Sequence, residues 1–167
     1  PRYHGARILV LSPDYPQLRS SSLLMFDDWF DKTDLVIDRI NGNEPERRLV
    51  NGIVVLFRSA KNPDQTRGGN VMLVWLDEVA QMEERVFPLT NALLRQRTPT
   101  GQYGAYRTLI TTTPRGRNWL WRRFVNPETC EYSDTELGFY HATTMQAMEW
   151  GFLPQDYIKN FGLAAGT

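Results

Sequence analysis

The sequence predicts an α/β fold organised around a largely parallel sheet. Strand-like apolar runs alternate with segments of helical periodicity, the pattern of a sheet whose strands are joined by helices. Two of those runs, Ile8 to Leu11 and Val71 to Leu76, are continuous and not alternating, as expected of strands buried on both faces. Each also ends in polar residues, Ser12-Pro13 and Asp77-Glu78. Strand tips of that kind are where open α/β sheets hold ligands.

The elements follow in order. After the strand at 8–11, Tyr15-Pro16 opens a helix with Leu18, Leu23, Phe26 and Phe30 near one face. Residues 41–47 are polar, contain Gly42 and Pro45, and read as loop. Arg48 to Val50, Asn51-Gly52 and Ile53 to Phe57 form a hairpin signal, because Asn-Gly favours a type I′ turn. Ser59 to Asn70 is a second loop, and the strand at 71–76 follows it. A helix entered at Pro88 turns Leu89, Leu93 and Leu94 inward and ends near Thr98-Pro99. Arg107 to Thr111 is a strand, Asn118 to Asn126 a short helix, Gly138 to Ala142 a further strand, and Pro154 to Phe161 a last helical turn or two.

Composition narrows the function classes. The chain has 167 residues, within the usual allotment of about 100–200 for one domain, so 1–167 is expected to form a single domain. Its 41% hydrophobic and 23% charged residues suit a globular protein with a sizeable core. No apolar run approaches the roughly 20 residues that span a bilayer. The start, Pro1 to Gly5, carries neither Met nor a signal-peptide layout and is expected to be a boundary inside a longer protein. The lone Cys130 cannot form an internal disulfide and suits a reducing compartment. His4 and His141 have no metal-ligand spacing, which argues against structural zinc. Nineteen basic residues balance nineteen acidic ones, so any nucleic-acid contact must use a local patch.

Three features carry chemistry. Asp77-Glu78 ends a buried strand, and adjacent strand residues point to opposite sides, so the two carboxylates can take different tasks. One can hold Mg²⁺ through water, and the other can polarise the water that attacks a γ-phosphate. The dipeptide alone equally fits a strand end followed by a helix N-terminus. Thr111-Thr112-Thr113 at the next strand tip can bond that water or that carboxylate, or can be a β-favouring run stopped by the Pro114 loop. Arg115, Arg117, Arg122 and Arg123 interleave with Trp119, Trp121 and Phe124. That mixture suits nucleic-acid phosphates and bases, or an amphipathic helix with Trp119, Leu120 and Phe124 turned inward and its arginines solvated. The sequence leaves the arginines undecided.

The order of these segments resembles the large subunit of tailed-phage terminases. Ile8 to Arg19 looks like the strand and helix that follow the family's phosphate-binding loop. Asn51-Gly52 through Ala60 is similar to its hairpin, and Asn62 to Gly68 to its Arg-Gly loop. Val71 to Glu78 looks like its Walker B strand, and Thr111 to Phe124 like its coupling motif and the helix after it. Together the match runs over roughly residues 7 to 160. The resemblance implies a P-loop NTPase fold of the RecA-like ASCE class, a three-layer sandwich with a mainly parallel central sheet, incomplete at the N-terminus.

It further implies ATP hydrolysis with Mg²⁺, driving double-stranded DNA into a procapsid in the host cytoplasm. The implied partners are the portal protein, the terminase small subunit and further copies of the chain in a ring, with no membrane. Asp77 would help hold Mg²⁺, and Glu78 would be the catalytic carboxylate. Thr111, Thr112 and Thr113 would couple hydrolysis to movement, and Arg67 would be an arginine finger reaching a neighbouring subunit. Two departures qualify this. No Gly-Lys-Ser/Thr occurs in the chain, so that loop is expected N-terminal to Pro1, and the chain stops before the family's C-terminal nuclease domain, with its acidic metal cluster, could begin. A fragment of another P-loop translocase or helicase, and a non-catalytic assembly domain, are the rival readings.

Overall fold

A computed structural model describes residues 4–63, 69–97, 101, 106–130, 132–133, 136–154 and 156–157. The chain divides into two compact units, Pro1–Cys130 and Glu131–Thr167, whereas the sequence reading treats 1–167 as one domain.

The first unit is built on six strands: β1 (Arg7–Ser12), β2 (Val36–Ile40), β3 (Glu46–Leu49), β4 (Val54–Ser59), β5 (Leu73–Asp77) and β6 (Arg107–Thr111). Their order across the sheet is β2-β3-β4-β1-β5-β6. The four strands from β4 to β6 run parallel, and β3 and β2 add an antiparallel edge. The connection leaving β1 leads towards β4, whereas the one leaving β5 leads to β6 on the other side. The tips of β1 and β5 therefore flank a topological switch point, where such sheets place their ligand crevice. The apolar runs are buried as their continuity predicts: Val10, Leu11, Phe57, Val74 and Leu76 are all inaccessible.

Helices α1 (Tyr15–Ser20) and α2 (Ser22–Phe30) cover one face of the sheet. Leu18 and Leu23 join Val10, Val55 and Phe57 in a core cluster flanked by Phe26 and Trp75. The sequence predicts one helix here. The chain breaks it at Ser21 (φ −121°, ψ −90°), which ends α1 and begins α2. Both backbone groups of Ser21 stay paired across the break: its N–H donates to Gln17 and its carbonyl accepts from Met25. An ion pair between buried Arg47 and half-buried Asp27 fixes α2 to β3: Arg47 donates to both oxygens of Asp27 at 2.7 and 2.6 Å. On the opposite face lies α3 (Val86–Asn91), whose Asn91 accepts from Thr108 of β6.

Several boundaries differ from the sequence reading. Helix α3 starts before Pro88, which is tolerated in a first turn whose N–H groups have no intrahelical partner. It ends at Asn91, not near Thr98, because the chain then turns to bridge Leu94 with Val71. The hairpin joins β3 and β4 without a type I′ turn: Asn51 is not at positive φ, and only Gly52 is (+81°). Gly52 N–H donates to Leu49 and Leu49 N–H to Ile53, the pattern of a three-residue loop closed by a glycine bulge. A side chain on Gly52 would also meet the His4 ring at 2.8 Å. Residues 46–47 belong to β3, not to a loop, and β2 escapes a sequence reading because its exposed edge lacks a buried alternating face.

In the second unit, Gly138 to Ala142 forms no strand among the described residues, and Phe139 and Tyr140 are exposed. Helix α5 (Thr144–Glu149) follows, entered through a capping box between Thr143 and Gln146. Tyr157 N–H donates to the Pro154 carbonyl. The remainder of that expected helix lies outside the described residues.

Candidate functional site

Sheet register assembles the site. Continued by one residue, the β1–β5 pairing Leu11↔Leu76 sets Ser12 beside Asp77, and Asp77 pairs with Thr111 of β6. These three residues form a polar row at the strand tips, on the face covered by α1 and α2. Asp77 is buried, at 8% exposure. Its Oδ1 accepts from Thr111 Oγ1 at 2.8 Å. Its Oδ2 accepts from Ser22 Oγ at 2.7 Å and Ser21 Oγ at 3.4 Å. Trp75, two residues back along β5, donates its indole N–H to Thr111 Oγ1 at 2.7 Å.

Glu78 goes elsewhere. It lies just past β5 in the left-handed region (φ 53°, ψ 40°), the one non-glycine residue at positive φ among the described residues. Such a conformation costs roughly 1–2 kcal/mol for a residue with a side chain. The two carboxylates are thus separated by this backbone reversal, not by the strand alternation that the sequence suggests. Glu78 caps a 3₁₀ turn at Val79–Gln81. Its Oε1 accepts from Thr113 Oγ1 at 3.2 Å, and Gln81 Nε2 reaches Oε2 at 3.4 Å.

The threonine run divides its work. Thr111 bonds Asp77, Thr113 bonds Glu78, and Thr112 Oγ1 accepts from Ala80 N–H at 3.1 Å. The three hydroxyls thus have separate partners, one on the last residue of β5 and two on the turn after it. The donor set around Asp77 is oxygen only, which fits a hard cation such as Mg²⁺ held through one carboxylate and water. Among the described residues no three His, Cys, Asp or Glu side chains cluster as an all-protein metal cage.

The arginines differ in how they are held: Arg122, like Arg115 and Arg117, is exposed, and of the four Arg123 alone is half-buried. Arg117 lies over the Trp121 ring at 5.0 Å. Arg123 donates to Glu84 at 3.3 Å and lies over Phe87, while Arg122 stands 4.0 Å from Glu84. Helix α4 (Trp119–Phe124) presents a half-buried Trp119, Leu120 and Phe124; Trp119 donates to the Met82 carbonyl, and Phe124 packs edge-on against Phe87. Arg67 lies outside the described residues. A cleft of about 370 Å³ opens at the β1 and β4 tips beside Tyr15, Arg58 and Lys61. It excludes both carboxylates, and its Arg58 is paired with Glu44 and Glu46.

Sequence reasoning missed Ser12, Ser21, Ser22 and Trp75. A signal existed for the serines: a Ser20-Ser21-Ser22 run interrupts a helical period, and Ser12 ends the strand paired with the Asp77 strand.

Residues 33–163 match a family model described as phage terminase large subunit. Solved structures of the large terminase from a thermophilic bacteriophage share the fold. Its ADP complex superposes with a TM-score of 0.69 at 15% identity over 95% of this chain and 37% of that one. Its ATP-γ-S complex gives 0.64 at 14% identity, over 95% and 36%. A further crystal form gives 0.56 at 15% identity, over 71% and 29%. The chain therefore spans about a third of the length of these relatives. No curated protein matches it.

Proposed function

The chain belongs to the phage terminase large-subunit family, and from that premise we propose that it carries the carboxylate half of an ATPase that drives double-stranded DNA into a procapsid. The observation that carries this reading is the pairing of Asp77 with Thr111 and of Glu78 with Thr113 at adjacent parallel strand tips. Two neighbouring carboxylates held by separate donors can do two different things at one triphosphate.

Asp77 is suited to hold the cation through water, since Ser21, Ser22 and Thr111 fix its carboxylate plane. Mg²⁺, when bound, neutralises charge on the β- and γ-phosphates. Glu78 is suited to orient a water molecule and take its proton as the water oxygen bonds the γ-phosphorus. The bond from that phosphorus to the β–γ bridging oxygen breaks, and ADP leaves with the electron pair. Thr113 aims Glu78 and is placed to respond when the γ-phosphate departs, and Thr111 does the same for Asp77. Thr112, bonded to Ala80 N–H, ties the turn after Glu78 to β6. The phosphate cradle itself is not among the 167 residues, which contain no Gly-Lys-Ser/Thr.

Arg115 and Arg117 are the favoured DNA contacts, since Arg122 and Arg123 stand beside Glu84. Arg67 is the proposed finger reaching across a ring of copies, with the portal protein and the small subunit as partners in the host cytoplasm. The test is DNA-stimulated phosphate release by the full-length protein. Asp77→Ala should abolish its Mg²⁺-dependent part. Full turnover in that variant rules the reading out.

A further inference from the structure

We propose that Ser22, backed by Ser12, is a positioning residue for Asp77 and connects the metal-holding carboxylate to the start of helix α2. The inference rests on the reading of Asp77 as a metal-holding group, and it extends that reading past the hydroxyls that touch Asp77 to Ser12, which meets only Ser22.

The direction of each hydrogen bond follows from chemistry. An ionised carboxylate only accepts, so the single Ser22 hydroxyl hydrogen goes to Asp77 Oδ2, at 2.7 Å. Ser22 and Ser12 stand 2.6 Å apart, and Ser22 has no hydrogen left to give. Ser12 must therefore donate to Ser22. The chain Ser12 to Ser22 to Asp77 runs one way, and it is anchored on β1, α2 and β5 in turn. Ser12 is 1% exposed and Ser22 is wholly buried, so water cannot replace either hydroxyl. Thr111 closes the other side of the carboxylate on Oδ1, and Trp75 donates to Thr111 from behind.

With both oxygens bonded, the carboxylate plane cannot rotate to follow a displaced cation. The break at Ser21 has a role in this light. An unbroken helix gives no reason for two consecutive serine hydroxyls to reach the same oxygen, whereas the altered Ser21 backbone brings both Ser21 and Ser22 to Asp77 Oδ2. Movement of α2 and the set of the metal carboxylate are thereby linked through one short hydrogen bond.

The test is Mn²⁺ binding to the full-length protein with ADP present, followed by electron paramagnetic resonance, alongside ADP affinity without metal and unfolding in denaturant. Losing an outer partner of a metal-holding group typically weakens the metal by about 10–100-fold. Ser22→Ala should weaken Mn²⁺ by roughly tenfold, at the low end of that range, and leave metal-free ADP affinity unchanged. The double variant Ser12→Ala/Ser22→Ala separates positioning from packing. Removing both hydroxyls leaves neither unsatisfied, so stability should recover relative to Ser22→Ala, while Mn²⁺ affinity stays low. If Mn²⁺ affinity recovers together with stability, the hydroxyls serve packing only and the proposal falls. If Ser22→Ala binds Mn²⁺ normally while Asp77→Ala does not, the proposal falls and the reading of Asp77 stands. Normal Mn²⁺ binding by Asp77→Ala overturns both.

Discussion

Thr113 donates its hydroxyl to Glu78 Oε1 at 3.2 Å across two strand tips, which joins the turn after β6 to the carboxylate after β5. Neither residue lies in a strand, so the contact depends on where the two turns leave the sheet. A side chain on such a contact can be released or recaptured without disturbing the buried strands beneath it.

That placement sets the first prediction. General-base assistance is worth roughly 10²–10⁴ in rate, and losing the donor that aims the base should remove part of it. Thr113→Val in the full-length protein should slow ATP turnover by about tenfold. Thr113→Ser, which keeps the donor, should stay close to wild type. Equal losses in both variants would point to shape and not to the hydrogen bond.

The left-handed backbone at Glu78 gives a stability prediction of unusual sign. Glycine in place of alanine normally destabilises, but at φ 53° the alanine bears the strain. Glu78→Gly should be more stable than Glu78→Ala by about 1 kcal/mol, and both should be inactive. Urea unfolding of the two variants gives the comparison.

The Arg47–Asp27 pair is a structural pin. The Arg47 side chain is 3% exposed, and its remaining hydrogens go to the Ile40 and Glu46 carbonyls and to Asn41. Asp27→Ala leaves a buried guanidinium without its main anion and should cost about 3 kcal/mol or more by denaturant unfolding. An apolar replacement of both partners should cost less, because no unpaired charge remains.

For DNA, Arg115 and Arg117 should behave differently from Arg123. Arg115→Ala and Arg117→Ala should each weaken binding across sequences and lower the salt-dependence slope by about one. Arg123→Ala should mainly lower stability, since that side chain packs over Phe87 and bonds Glu84. Titrations of a duplex at several salt concentrations distinguish the two.

The sequence made the parallel core legible because continuous apolar runs such as Val71 to Leu76 report burial on both faces, whatever the partner strands are. It made the Asp77 tip legible for the same reason. What it hid was decided by tertiary contact. The helix break at Ser21 stands where hydroxyls bond Asp77, a contact 56 residues away in sequence. Strand β2 is exposed along one edge and carries no burial pattern to read. The Asn51-Gly52 pair announced a turn correctly, yet its type depended on Gly52 alone taking positive φ beside His4. The Thr143–Gln146 capping box was readable in advance, as a Thr followed three residues later by Gln. Gly138 to Ala142 misled because aromatic residues favour strands only where a neighbouring strand is available.

The central claim is that Glu78 acts on water while Asp77 serves the cation, and Glu78→Gln in the full-length protein tests it most directly. The amide preserves size and can still meet Thr113, but it is a far poorer base and carries no charge to polarise water. The measurement is a single-turnover experiment with limiting ATP, recording bound nucleotide and released phosphate on the same sample. The predicted result is ATP held with near-normal affinity and phosphate release slowed by about 10²-fold or more. Near-normal phosphate release from Glu78→Gln would contradict the claim.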